Sequence, residues 1–103
     1  MLKVNFEFRK GIFFLRLIGE MTQNNYEMQK EIKDLLINNK FKYIVINTNY
    51  LEQVDLVSLN YLIELFYITK NNNCNLIICD KFSILERLLG KNIPNIKDEI
   101  EVL

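Results

Sequence analysis

Apolar and polar residues alternate from the start of the chain. Val4, Phe6 and Phe8 are interleaved with Asn5, Glu7 and Arg9, the two-residue period of a strand with one buried face. Lys10-Gly11 follows, and glycine supplies the positive φ of a tight hairpin. Residues 12–18 form a second, more apolar strand, expected nearer the sheet centre, and Gly19-Glu20 ends it. The period then lengthens. Asn24, with Glu27 three residues on, predicts a capped helix start. Met28, Ile32, Leu35 and Leu36 give that helix one buried stripe, with Glu27, Lys30, Glu31, Lys33 and Asp34 mainly around the rest. It is expected to end near Asn38-Asn39. Residues 43–46 are continuously apolar and predict a central strand buried on both faces, of the kind that helical crossovers join into parallel sheets. Residues 47–54 read as a loop, 55–70 as a second helix, Asn71-Asn72-Asn73 as a turn, and 76–79 as another buried strand. Ser83-Ile84-Leu85-Glu86 has the form of a capping box, opening a helix that runs to about Leu89. Gly90 supplies its stop, and Pro94 blocks any continuation. Residues 100–103 are expected to form a last edge strand.

The order ββαβαβαβ predicts an α/β fold. It is a small mixed sheet of four to five strands, an N-terminal hairpin followed by β-α-β crossovers, with about three helices on at least one face. The 103 residues suit one domain spanning 1–103. Half of them are apolar, enough for a compact core. The formal net charge is zero, which argues against nucleic-acid binding, since phosphate recognition needs a basic excess. The apolar runs are too short for membrane insertion, and residues 1–10 lack the long apolar run of a secretory leader. A cytoplasmic location is therefore expected. Cys74 and Cys79, in C-x4-C spacing with no histidine in the chain, read as reduced thiols and not as a metal site.

The inventory also argues against catalysis. Histidine, the commonest general base, is missing. Neither G-x-x-x-x-G-K-[ST] nor G-x-G-x-x-G occurs, and there are three glycines in all. Glu52 and Asp55 could pair as carboxylates, but a solvated loop residue and a helix cap are their ordinary roles. No enzyme activity and no cofactor are expected.

The signal lies in residues 47–59, a strand end, a connection and a helix start. Asp55 is placed to cap the free N–H groups of that helix and to meet its positive dipole end. Beyond it, Leu56, Val57, Leu59, Tyr61, Leu62, Ile63, Leu65, Phe66, Tyr67 and Ile68 leave almost no polar face. Such a helix is covered on more than one side, either by its own domain or by another chain.

This unit resembles the STAS domain of bacterial anti-sigma factor antagonists. Leu17-Ile18-Gly19-Glu20-Met21 is similar to the family's L-x-G-E-L. Ile44-Val45-Ile46-Asn47 followed by Leu51 and Val54-Asp55 matches its third strand and loop, and the helix and strand Leu76-Ile77-Ile78-Cys79 follow at matching spacing. The resemblance covers roughly residues 4–103. It implies a protein-interaction module whose partner is an anti-sigma factor or kinase-like regulator, docking on Asp55, Leu56, Val57, Ser58, Asn60 and Tyr61. The chain departs from the family at its switch, D-S-[ST]-G, whose first serine is phosphorylated. Here the stretch is Asp55-Leu56-Val57-Ser58. Leu56 has no hydroxyl, so no phosphorylation is expected there. Ser58, at the family's glycine, is the remaining weak candidate, although a serine in a first helical turn ordinarily satisfies backbone groups. Thr22 replaces the family's usual acidic residue. The chain ends at Leu103, short of the family's C-terminal helix, which is expected to leave a sheet face or the Asp55 helix less covered. The resemblance leaves other readings open: a module of a transporter or stress-signalling scaffold, a nucleotide-binding module, or a homodimer built on the Asp55 helix.

Overall fold

The computed structural model describes residues 1–81 and 83–103, and the side chains of these except Ile84 and Lys91. Strands β1 (Leu2–Arg9) and β2 (Ile12–Met21) form the N-terminal hairpin. Helix α1 (Tyr26–Asn38), strand β3 (Tyr43–Val54), helix α2 (Leu56–Asn71), strand β4 (Asn75–Cys79), helix α3 (Ile84–Leu89) and the short strand β5 (Asn95–Ile96) follow. The sheet order is β1-β2-β3-β4-β5. β1 is antiparallel to β2, and β2 through β5 are parallel. The mixed five-stranded sheet and three helices are the α/β architecture expected from the pattern.

The two faces of the sheet are unequal. Phe13, Leu15, Leu17, Ile44, Ile46 and Ile78 point to one side and join Ile32 and Leu36 of α1, Leu62, Leu65 and Phe66 of α2, and Leu85 and Leu89 of α3 in the main core. Phe14, Val45 and Cys79 point to the other side, where Ile12, Ile77, Ile96 and Val102 complete a small second cluster. The period of two is thus kept by apolar residues on both faces of the central strands. Tight geometry closes the hairpin: Lys10 (φ 53°) and Gly11 (φ 80°) make the turn. At the other end Gly19 (φ 98°) lies so close to the Met1 carbonyl that a Cβ would sit 2.3 Å from its oxygen.

Several local expectations are corrected. Residues 47–54 are not a loop. β3 runs on to Val54 because the second half of β2 lies beside it, out to Met21 opposite Val54, with register shifts after Arg16 and Gly19. Tertiary pairing supplies the backbone hydrogen bonds that this polar stretch does not advertise. Asn24 is not the α1 cap. A 3₁₀ turn, Gln23–Asn25, precedes the helix, and Thr22 and Asn25 form the reciprocal capping pair. Met28 is exposed, while Gln29 takes its place in the buried stripe. Ser83 does not cap α3. It sits in the left-handed region at φ 55° with no capping bond, and the Asp80 carboxylate accepts the Leu85 N–H at 2.8 Å in its stead. Residues 100–103 are not a strand. Glu99–Val102 is a 3₁₀ turn capped by Asp98, and the edge strand is Asn95–Ile96, beside β4. Phe6 and Phe8 are not buried: only the Leu2 and Val4 end of β1 reaches the core.

Arg16 fastens the C-terminal turn to the second face. Its guanidinium donates to Glu99 at 2.7 and 2.9 Å, to Glu7 at 2.9 Å and to Asn5 at 2.8 Å. Asn47 Nδ2 donates to the same Glu99 carboxylate at 2.6 Å. Arg16 holds the Glu99 carboxyl below the usual range, against the opposing effect of burial, and Glu99 in turn raises Arg16.

Candidate functional site

The start of α2 is built by Asp55. Its Oδ1 accepts the Ser58 N–H at 2.8 Å and its Oδ2 accepts the Gln23 N–H at 2.9 Å, while its own N–H bonds to the Met21 carbonyl at 3.0 Å. One carboxylate therefore ties the helix start to the segment leaving β2. The Ser58 backbone N–H, then the Ser58 hydroxyl and the Gln23 N–H hold the Asp55 carboxyl below its ordinary value, with partial desolvation opposing them.

Beneath this cap lies a polar knot that the pattern of apolar positions does not reveal. Gln29 Nε2 donates to the Ser58 hydroxyl at 3.0 Å, to the Thr22 carbonyl at 2.9 Å and to Asn25 Oδ1 at 2.9 Å. Gln29 and Ser58 are both buried, Ser58 to 1% exposure. The available signal was the spacing itself: Gln29 stands three and seven residues before Ile32 and Leu36, on the stripe that faces α2. A buried amide there needs partners, and Ser58 is one of them.

The six proposed contact residues divide. Leu56, 72% exposed, and Val57, 55% exposed, project from the first turn of α2. Asn60 is exposed, Tyr61 and Asp55 are half-buried, and Ser58 is enclosed. Val57, Asn60 and Tyr61 line a shallow cleft of about 360 Å³ with Gln23, Tyr26 and Glu64, floored by Gln29 and Ser58. Tyr26 meets Tyr61 edge-on at 6.0 Å, and Lys33 lies 5.7 Å over the Tyr61 ring and 3.6 Å from Glu64. Leu56 is not part of that cleft. Asp55 and Glu52 do not meet as a catalytic pair, since Asp55 is committed to backbone groups and Glu52 lines a separate groove with Leu59, Leu62 and Asp80.

The helix that was expected to be apolar on every face is covered mainly on one. Ser58, Leu62, Leu65, Phe66 and Thr69 are buried, whereas Leu56, Val57 and Tyr67 are exposed. The two cysteines sit apart: Cys74 packs on the main core and Cys79 in the second cluster. Burial, reinforced by the charge of Glu99, pushes the Cys79 thiol up to about 11. Among the described residues no cluster of cysteine and carboxylate side chains is placed to hold a metal ion, and no helix is long and apolar enough to cross a membrane.

The sequence profile of the STAS domain matches residues 3–100. The chain belongs to the STAS domain family. None of the curated proteins matches its sequence. The STAS fold is shared with an anti-sigma factor antagonist from Mycobacterium paratuberculosis (14% identity, TM-score 0.76, covering 98% of this chain and 90% of that one). It is also shared with the anti-sigma factor antagonist SpoIIAA in its unphosphorylated form (12% identity, TM-score 0.73, covering 99% and 93%). The Bacillus cell fate determinant SpoIIAA in its phosphorylated form aligns as well (12% identity, TM-score 0.69, covering 99% and 96%). At such identities the likeness is one of fold. In this STAS domain the residue following the helix cap is an exposed leucine.

Proposed function

We propose that this STAS domain is a non-catalytic interaction module that acts as an anti-sigma factor antagonist does. It binds a protein regulator of the anti-sigma or kinase type through the start of α2, and it does so without a phosphoserine switch. The observation that carries the reading is the pairing of Leu56 and Ser58. The residue after the cap presents an aliphatic side chain to solvent, while the nearest hydroxyl is enclosed and accepts a hydrogen bond from Gln29. A kinase would have to unfold the first turn of α2 to reach Ser58. The projecting pair Leu56 and Val57, beside Asn60 and Tyr61, offers an apolar contact with a polar rim, the anatomy of a protein-binding patch. Phosphate placed there would add nearly two charges to that contact. Its absence makes binding constitutive.

The test is capture from native lysate with the tagged protein, using Leu56→Asp and Asn60→Arg as control baits. Both positions are exposed, so both variants should keep the wild-type melting temperature. An ATPase-fold regulator retained by the wild type and lost by the two variants is the expected outcome. Incubation of the protein with that regulator and ATP should leave its mass unchanged. Stoichiometric phosphate on the chain, or undiminished capture by both variants, would refute the reading.

A further inference from the structure

We propose that the free edge of β1 is a self-association surface, through which two copies of this chain join their sheets by antiparallel β1–β1 pairing about a two-fold axis at Asn5. β1 is the outermost strand, paired on one side only, and runs for eight residues. It carries Phe6 at 56% and Phe8 at 66% exposure. A long apolar edge strand is a template for another strand unless charge, proline or a bulge blunts it. β1 contains no proline, its register with β2 is unbroken from Leu2 to Arg9, and its charges, Lys3, Glu7 and Arg9, lie at the odd positions, on the face opposite the phenylalanines.

The backbone dictates which groups are free. A two-residue turn closes on a hydrogen-bonded pair, here Arg9 and Ile12, and the bonded pairs then recur at every second residue. The odd-numbered residues of β1 therefore direct their N–H and C=O groups to β2. The bond from Glu20 N–H to the Met1 carbonyl at 3.3 Å follows that parity. Val4, Phe6 and Phe8 direct theirs to the open edge; Leu2 shares their parity but is 2% exposed, so its groups are covered.

The side chains select the register. With the axis at Asn5, Lys3 lies opposite the partner's Glu7, Val4 opposite the partner's Phe6, and Leu2 opposite the partner's Phe8. Phe6 then gains the partner's Val4 as an aliphatic neighbour, and each Lys3, which makes no ion pair among the described residues, gains the Glu7 carboxylate as a partner that it shares with Arg16. Moving the axis to Phe6 would set Lys3 against the partner's Arg9. Moving it to Val4 would set Lys3 against the partner's Asn5 and lose the charge pairing. Phe6 already stacks on Phe13 at 5.9 Å, and Phe13 on Phe41 at 4.1 Å, so the aromatic side chain that meets the second copy is held in place beforehand. The register supplies about four inter-chain backbone hydrogen bonds, two for each of the two Val4–Phe6 pairs. None of these residues lines the cleft at the start of α2, so the proposal stands independently of the partner-binding reading.

The experiment is light scattering of the wild-type protein from micromolar to millimolar concentration, together with a disulfide trap. Asn5 faces its own counterpart across a non-bonded pair, with Cα atoms about 4.5 Å apart, a spacing that a disulfide accepts. Asn5→Cys in a Cys74→Ser background should form a covalent dimer under mild oxidation, and Glu7→Cys in the same background should not. Lys3→Glu places like charges opposite each other at two symmetric points. It should weaken the dimer about tenfold or more, and Lys3→Glu with Glu7→Lys should restore it. A mass of one chain at every concentration would overturn the proposal. So would a dimer whose Asn5→Cys thiols stay free, or one that Lys3→Glu leaves unchanged.

Discussion

Gln29 shows how one side chain can organise a site that it does not present to solvent. Its amide nitrogen, with two N–H groups, lies within hydrogen-bond distance of the Thr22 carbonyl, Asn25 Oδ1 and the Ser58 hydroxyl, so the entry to α1 and the first turn of α2 share one amide. A leucine would fill much of the same volume but take the amide donor from the buried Ser58 hydroxyl, while the Thr22 carbonyl and Asn25 Oδ1 keep the backbone N–H groups of Asn25 and Thr22. Gln29→Leu should therefore cost roughly 1–3 kcal/mol in denaturant unfolding. The double variant with Ser58→Ala should cost less than the sum of the two single changes, because the two residues act as one unit. Additive losses would show that the amide and the hydroxyl contribute separately. At this scale the sequence was only partly legible. Asp55 as a helix cap followed from residue type and position, but the role of Gln29 depends on a serine 29 residues away, a relation that local spacing cannot express.

Helix α2 is the element on which most of the function rests, and its composition alone misleads. Ten apolar residues within 56–68 predict burial all round, yet the first turn stands clear of the sheet with Leu56 and Val57 in solvent. The division is testable with one substitution type. Leu62→Asp would bury a charge in the main core and should cost several kcal/mol, enough to unfold a domain of this size. Leu56→Asp should leave the thermal midpoint within a degree or two of wild type. Circular dichroism melts of the two variants distinguish them. Comparable destabilisation by both would mean that the first turn is covered after all. Elsewhere among the elements, the boundaries that failed were those where a partner strand or a distant carboxylate acted. β3 extends through 47–54 because β2 lies beside it, and α3 is capped from Asp80 and not from Ser83.

The whole molecule is an asymmetric sandwich, helices on one face and a thin C-terminal turn on the other. The turn is held by Val102 in the second cluster and by Glu99 against Arg16 and Asn47. The ordinary values of the Asp55 and Glu99 carboxyls are 3.8 and 4.5, and in the fold both are depressed. A carboxyl whose folded value is depressed contributes stability that is fully present above its unfolded value and is lost as pH falls through the folded one. Unfolding free energy should thus be flat from pH 7 to about 5 and decline below 4.5. Glu99→Gln should lower it at pH 7 and flatten the acid limb, with the two proteins converging once Glu99 is protonated in the fold. Urea titrations across that range measure this directly. Parallel curves for the two proteins would mean that the Arg16 contact does not fasten the turn.

The sequence by itself determined the class of the fold, the number of helices, the parallel centre, the hairpin turn and the helix cap at Asp55. Each of these follows from periodicity or from residue types that act within a few positions of themselves. The resemblance of 17–21 and 44–55 to a STAS domain stood on the same local features, and the family match bears it out. Only the tertiary structure decided which apolar residues of α2 are covered, that Ser58 is enclosed, that residues 47–54 are strand, and that the C-terminal turn is bound through Arg16. Those outcomes depend on groups brought together from far apart in the chain. Burial, strand pairing and ion pairing are properties of neighbours in space, and sequence spacing encodes only neighbours along the chain.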